Sequence, residues 1–192
     1  MAPRYNPSKW NKNKYRKKSH NCYSYFLNKT SRRFERECKK TKKINRRLRC
    51  RRPQPGYAAG YPPISDPKKY TCRRMNKRMM ADNPLIRKTS KRGRCGRGYY
   101  KGAMVMDPHP KPDIDYHFYR QDRSGLWSHK DGWGPATNKD ARGKVIEDPA
   151  DASRDYRKNK GKGKGKGKGK NYTQVCGYYC VPKDKRKKRM AI

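Results

Sequence analysis

The stretch Asp115-Tyr116-His117-Phe118-Tyr119-Arg120-Gln121-Asp122-Arg123-Ser124-Gly125-Leu126-Trp127-Ser128-His129 decides the fold. It predicts two short strands that are joined by a turn at Ser124-Gly125. His117 lies at the head of the first predicted strand, and His129 lies near the end of the second. Two imidazoles on neighbouring strands are therefore expected in a small sheet.

The charge of the chain is distributed unevenly around this stretch. The 192 residues carry a formal net charge of +40. Residues 1–52 contribute +18, residues 53–100 contribute +10, residues 101–155 contribute −1 and residues 156–192 contribute +13. The nearly neutral block is expected to form the centre of the fold, and the basic flanks are expected to be interaction surfaces.

So large a basic excess indicates a polyanionic or acidic partner, because an unneutralised charge of this size repels itself in a compact state. Nucleic acid is the default partner, and acidic protein surfaces or anionic lipid are the alternatives. No apolar run reaches 18 residues, so no membrane-spanning segment is expected. Residues 1–18 lack the apolar region of a signal peptide.

The elements predicted along the chain are those of an α+β fold, with helices and a small antiparallel sheet. A helix is expected to open at Cys22 with Ser19 or Asn21 as its cap, and another is expected over 67–82. Further strands are expected over 99–106 and 171–182. The predicted organisation is a basic N-terminal arm (1–18), a domain (19–182) with basic inserts at 29–52 and 157–170, and a basic C-terminal tail (183–192). Prolines and asparagines argue against helix in the arm.

The seven cysteines are an odd number, so at least one is unpaired in a monomer. We expect a reducing compartment and mostly free thiols. Cys72, Cys95, Cys176, Cys180 and the histidines could supply zinc ligands, but no paired C-x-x-C spacing supports such a site. Neither a metal nor another cofactor is expected.

Cys22 is the candidate nucleophile. A cysteine at a helix start has its thiolate favoured by the helix dipole and by free backbone N–H groups. His117 would act as general base and His129 would orient His117, while the Cys22 N–H is a candidate oxyanion donor. The alternative is that Cys22 is a buried, inert thiol and that both histidines serve packing.

The densest basic runs are candidate polyanion-binding sites. One lies in the first basic insert and the other is an alternating Lys-Gly tract that is expected to be a flexible loop. The residues predicted to bind a polyanion are Lys39, Lys40, Lys42, Lys43, Arg46, Arg47, Lys162, Lys164, Lys166 and Lys168.

The order Cys22, His117, His129 resembles that of the NlpC-type branch of papain-like cysteine peptidases and amidases. In that branch a cysteine begins a helix, a histidine opens a strand, and a third polar residue lies on the next strand. This resemblance covers residues 21–25 and 99–130, and it implies a papain-like scaffold with a thiol active site.

The chain also resembles uncharacterised proteins of large DNA viruses of algae and amoebae, and of some bacteria. The similar segments stand at 21–23, 54–56, 81–84, 115–122, 127–130, 137–140 and 176–182. This resemblance implies a virion protein that is made in the host cell cytoplasm. The implied partners are the major capsid protein, other capsid proteins and viral DNA.

Three functions follow from the sequence. The first is a minor capsid protein of a large icosahedral DNA virus, whose basic arms bind acidic capsid surfaces or DNA. The second is a virion-packaged papain-like cysteine peptidase or amidase, and the third is a DNA-condensing basic protein. Whether the chain is an enzyme is left open.

Overall fold

The computed structural model describes residues 2–42, 48–66, 69–108, 115–157 and 169–192, and it confirms the predicted α+β class. Six antiparallel strands form one sheet in the order β1-β6-β2-β3-β4-β5. The strands are β1 (Arg87–Thr89), β2 (Tyr99–Asp107), β3 (Asp115–Gln121), β4 (Trp127–Lys130), β5 (Ala136–Thr137) and β6 (Gln174–Pro182).

The opening stretch forms the β3–β4 hairpin, as predicted. Tyr119 of β3 pairs with His129 of β4. His117 lies two residues before Tyr119, and alternate residues of a strand share one face, so His117 and His129 are diagonal neighbours on the same face. The register of the hairpin therefore brings the two imidazoles together.

Five α-helices and one 3₁₀ turn surround the sheet in the described part of the chain. They are α1 (Pro7–Asn11), α2 (Lys14–Ser19), α3 (Cys22–Phe26), α4 (Arg32–Lys40), the 3₁₀ turn (Tyr57–Ala59) and α5 (Cys72–Asp82). None of these helices is long and apolar enough to cross a membrane.

Helix α3 lies directly on the sheet. The Phe26 ring packs on the Phe118 ring with centroids 4.7 Å apart. A Cβ atom at Gly102 of β2 would lie 2.3 Å from the Phe26 ring, so only glycine admits this close approach. The Tyr25 hydroxyl also bonds the Ser128 hydroxyl of β4 at 2.7 Å. These contacts fix α3, and thereby Cys22, relative to the two histidine strands.

The expectation that residues 1–18 contain no helix was wrong. Asn6 caps α1 by accepting a hydrogen bond from Lys9 N–H, and Asn13 caps α2 in the same way for Tyr15 and Arg16. Pro7 occupies the first position of α1, where its missing N–H and fixed φ are tolerated. The residues read as helix breakers therefore start helices instead.

The arm is also part of the fold. Trp10 is only 1% exposed and packs on Tyr25 of α3 with ring centroids 5.0 Å apart. At the other end of the chain, Lys188 is buried, Met190 packs on the main core, and Arg189 N–H bonds the Asn83 side chain at 2.7 Å.

The expectation of mostly free thiols was also wrong. Three disulfides join Cys38 to Cys50, Cys72 to Cys176, and Cys95 to Cys180. Two of these pairs link residues 104 and 85 positions apart, so the pairing is a consequence of the tertiary fold and leaves no short spacing in the sequence. The four cysteines considered as zinc ligands are thus all paired, and Cys22 alone is free.

Candidate active site

Cys22 is the first residue of α3. The Asn21 side chain accepts a hydrogen bond from Ser24 N–H at 3.3 Å, and the Ser24 hydroxyl accepts one from Asn21 N–H at 3.3 Å. This reciprocal capping box confirms Asn21 as the cap and fixes the start of the helix. Cys22 is 5% exposed, and its backbone N–H belongs to the first turn, where amides lack an intrahelical acceptor.

A cavity of about 730 Å³ opens over Cys22 and His117, and both residues line it. Its other walls come from distant parts of the chain. They include Arg51, Arg52, Asp115, Trp133, Lys170 and Tyr172. The structure therefore brings the predicted nucleophile and the predicted base to the walls of one cavity.

His117 and His129 are hydrogen-bonded to each other. Nε2 of His117 lies 2.8 Å from Nδ1 of His129, and Nε2 of His129 lies 3.0 Å from the carbonyl oxygen of Lys139. Both imidazoles are buried. His129 is thus hydrogen-bonded to His117, which is where a residue that orients the general base must lie.

The Lys139 carbonyl determines where the protons of both histidines lie. A carbonyl oxygen only accepts, so Nε2 of His129 carries the proton. Nδ1 of a neutral His129 is then an acceptor, and Nε2–H of His117 donates to it. This leaves Nδ1 of His117 unprotonated, and Nδ1 is the ring nitrogen that remains to take a proton from a thiol.

The protonation states support a neutral pair. Burial lowers the pKa of His117 well below its usual value, and the charge of a protonated His129 would lower it further. Burial lowers the pKa of His129 as well. Burial and then the Asp115 carboxylate raise the pKa of Cys22 to about 12. Burial thus favours the neutral thiol at Cys22, whereas a position at the start of a helix by itself favours the thiolate.

The predicted polyanion-binding residues lie apart from this cavity where they are described. Lys39 and Lys40 are exposed at the end of α4, and Lys42 is exposed just beyond it. The remaining members fall outside the described residues. They are Lys43, Arg46, Arg47, Lys162, Lys164, Lys166 and Lys168.

Three features of the site had no signal in the sequence. The Lys139 contact is made by a backbone carbonyl, which any residue could provide. Arg52 stacks on Trp133 with its guanidinium carbon 3.9 Å from the ring centroid. The Lys130 ammonium is buried among four backbone carbonyls and holds the loop that carries Trp133.

Comparison with known proteins gives one partial similarity. Over 43 residues, or 22% of this chain, the sequence is 54% identical to insoluble matrix shell protein 1 of Ruditapes philippinarum. The match spans 29% of that protein's length, so it assigns no family. No protein-family model matches the chain. No solved structure is similar to it.

Proposed function

We propose that this protein is a thiol-dependent amide hydrolase in which Cys22 is the nucleophile, His117 the general base and His129 the orienting residue. One observation carries the proposal: the chain of hydrogen bonds from the Lys139 carbonyl leaves Nδ1 of His117 unprotonated, and His117 lines the same cavity as the free thiol of Cys22. The papain-like scaffold is part of this proposal, supported by a helix-opening cysteine packed on two histidine-bearing strands.

The reaction begins from a neutral thiol. The Cys22 sulfur attacks the amide carbonyl carbon while its proton moves to Nδ1 of His117. The first-turn N–H of Cys22 stabilises the oxyanion. The C–N bond then breaks, and the leaving nitrogen takes the proton from His117. Water then gives a proton to Nδ1 of His117 and attacks the thioester carbonyl carbon. The C–S bond breaks, the departing sulfur takes the proton back from His117, and the carboxylic acid is released.

Trapping an acyl-enzyme tests this function. The protein is incubated with p-nitrophenyl acetate, nitrophenol release is followed, and the acetylated residue is identified by mass spectrometry. We expect acetylation at Cys22 and a ~100-fold or greater slowing in His117→Ala, the size typical of general-base assistance. Acylation that proceeds equally fast without His117 would contradict the proposal.

The matched control is His20→Ala. His20 is also buried, but its ring lies beside Trp10 and Phe34 and its Nε2 accepts a hydrogen bond from Ser31 N–H. It does not line the Cys22 cavity. The His20→Ala variant therefore controls for the general effect of removing a buried histidine. Its acetylation rate should remain near that of the unaltered protein.

A second candidate function is structural. The net charge of +40, three disulfides and exposed cations on α4 fit a basic protein of an insoluble assembly, and the partial relative is named as an insoluble matrix protein of shell. The minor-capsid role in a virion and the DNA-condensing role stay predictions of the same kind. Salt titrations of binding to DNA and to an acidic polypeptide separate the DNA-condensing role from the roles in which the basic surface binds protein.

A further inference from the structure

Arg52 is held rigidly at the wall of the Cys22 cavity. Its guanidinium stacks on Trp133 at 3.9 Å, and the Trp133 indole N–H donates to the Cys50 carbonyl at 3.2 Å. The Cys38–Cys50 disulfide anchors that carbonyl to α4. A stacked guanidinium loses little further freedom when it binds a planar anion, because its orientation is already set.

Gly132 is required for this arrangement. A Cβ atom at this position would lie 2.2 Å from Nη1 of Arg52, closer than any real contact allows. The chain therefore has its smallest residue where the guanidinium passes the loop.

The Arg52 guanidinium has no salt bridge to a residue that the structure describes. Asp115 shares the cavity, but its carboxylate accepts the Tyr172 hydroxyl at 2.9 Å and the Tyr116 N–H at 2.9 Å. Arg51 and Lys170 add positive charge to the same walls, and Asp131 is the other acid there.

The chemistry of Cys22 narrows the choice of anionic ligand. A thiol nucleophile needs an acyl carbon, which the phosphodiester chain of nucleic acid does not offer. An acidic polypeptide is a polyanion that carries both acyl bonds and planar carboxylates, and a protein of +40 charge attracts such a chain.

We infer that the substrate is an acidic polypeptide, and that Arg52 binds a carboxylate close to the amide that Cys22 attacks. This inference rests on the proposed function. Arg52 is here a specificity-determining residue, and its planar fork accepts a carboxylate through two parallel hydrogen bonds.

Two alkylating agents of nearly equal size test the charge preference. Iodoacetate is anionic and iodoacetamide is neutral, and both alkylate Cys22. We expect the iodoacetate-to-iodoacetamide rate ratio at Cys22 to exceed that of free cysteine, and to fall ~3- to 10-fold in Arg52→Gln, the effect of one nearby charge in a partly aqueous site. A ratio equal to that of free cysteine and unchanged by the substitution overturns the inference.

Two further variants guard against a misfolded protein. Gly132→Ala keeps every charge but displaces the guanidinium, so it should lower the ratio in the same direction as Arg52→Gln. Arg36→Gln removes an exposed arginine of α4 outside the cavity and should leave the ratio unchanged. An equal fall in Arg36→Gln would show a general charge effect and would overturn the assignment to Arg52.

Protection of Cys22 identifies the class of polymer. A short poly-glutamate peptide should slow iodoacetamide labelling in the unaltered protein more than in Arg52→Gln, and a DNA oligonucleotide of equal charge should protect less. Equal protection by DNA overturns the polypeptide assignment. Failure of the proposed function gives a different result from failure of this inference. Acetylation would then not depend on His117, while the preference of Cys22 for iodoacetate would persist.

Discussion

Lys130 offers the sharpest stability prediction, because its ammonium is buried and joins two segments of backbone through four carbonyl oxygens. Nζ donates to the carbonyls of Lys17, Asp131, Gly132 and Gly134 at 2.8, 3.1, 3.0 and 2.8 Å. Burial lowers the pKa of Lys130 to about 7. The Asp131 carboxylate opposes this shift in the pKa.

The Lys130→Met substitution keeps the aliphatic volume and removes the donors. A buried carbonyl left without a donor costs about 1–3 kcal/mol. The carbonyl of Lys17 lies in the last turn of α2, where it lacks an intrahelical partner, and should bear the full cost. In the variant, the three loop carbonyls recover part of their hydration, because they lie next to the Cys22 cavity. The variant also avoids the cost of burying a charge. The net loss of stability is on the order of 3 kcal/mol.

Urea unfolding with the disulfides intact measures this loss. Lys139→Met is the matched control, because the Lys139 side chain is exposed and its carbonyl contact with His129 survives the substitution. The control should stay within about 0.5 kcal/mol of the unaltered protein. Since the loop carrying Trp133 would loosen, alkylation of Cys22 should also accelerate in Lys130→Met. A Lys130→Met protein as stable as its control would refute the role given to the carbonyl cage.

Three further outcomes are expected. Trp10→Ala should cost about 3–5 kcal/mol by urea unfolding, because the indole is buried against Tyr25, whereas a loose arm would show no change. Replacing Cys72 and Cys176 together by serine should cost about 2–5 kcal/mol in the same assay, and unchanged stability would argue against that disulfide. Alkylation of Cys22 should rise about tenfold per pH unit between pH 7 and 10, since its pKa of about 12 lies above this range; a plateau near neutrality would indicate a thiolate instead.

The sequence predicted the parts of the fold that depend on local patterns. The strands at 99–106 and 171–182 are present as β2 and β6, with the last beginning three residues later than expected. The helix expected over 67–82 begins at Cys72, where Thr71 caps it. The hairpin and the Asn21 cap together explain why Cys22, His117 and His129 could be grouped without a structure.

The missed features depend on contacts between distant segments. Asn6 and Asn13 can either cap a helix or interrupt one, and the outcome depends on what packs around the helix that follows. Trp10 supplies that packing. Disulfide partners are fixed by where α5 and β6 meet. The pKa of Cys22 follows from burial, which a helix-start pattern does not report.

In the proposed mechanism, His117 presents an unprotonated Nδ1 to the Cys22 thiol. Long-range ¹H–¹⁵N correlation spectra of the ¹⁵N-labelled protein at neutral pH distinguish the two neutral tautomers of each histidine. We predict a proton on Nε2 of both His117 and His129, and a change in the His117 tautomer equilibrium in His129→Ala. A proton on Nδ1 of His117 in the unaltered protein would contradict the account, because that nitrogen could then accept nothing from the thiol.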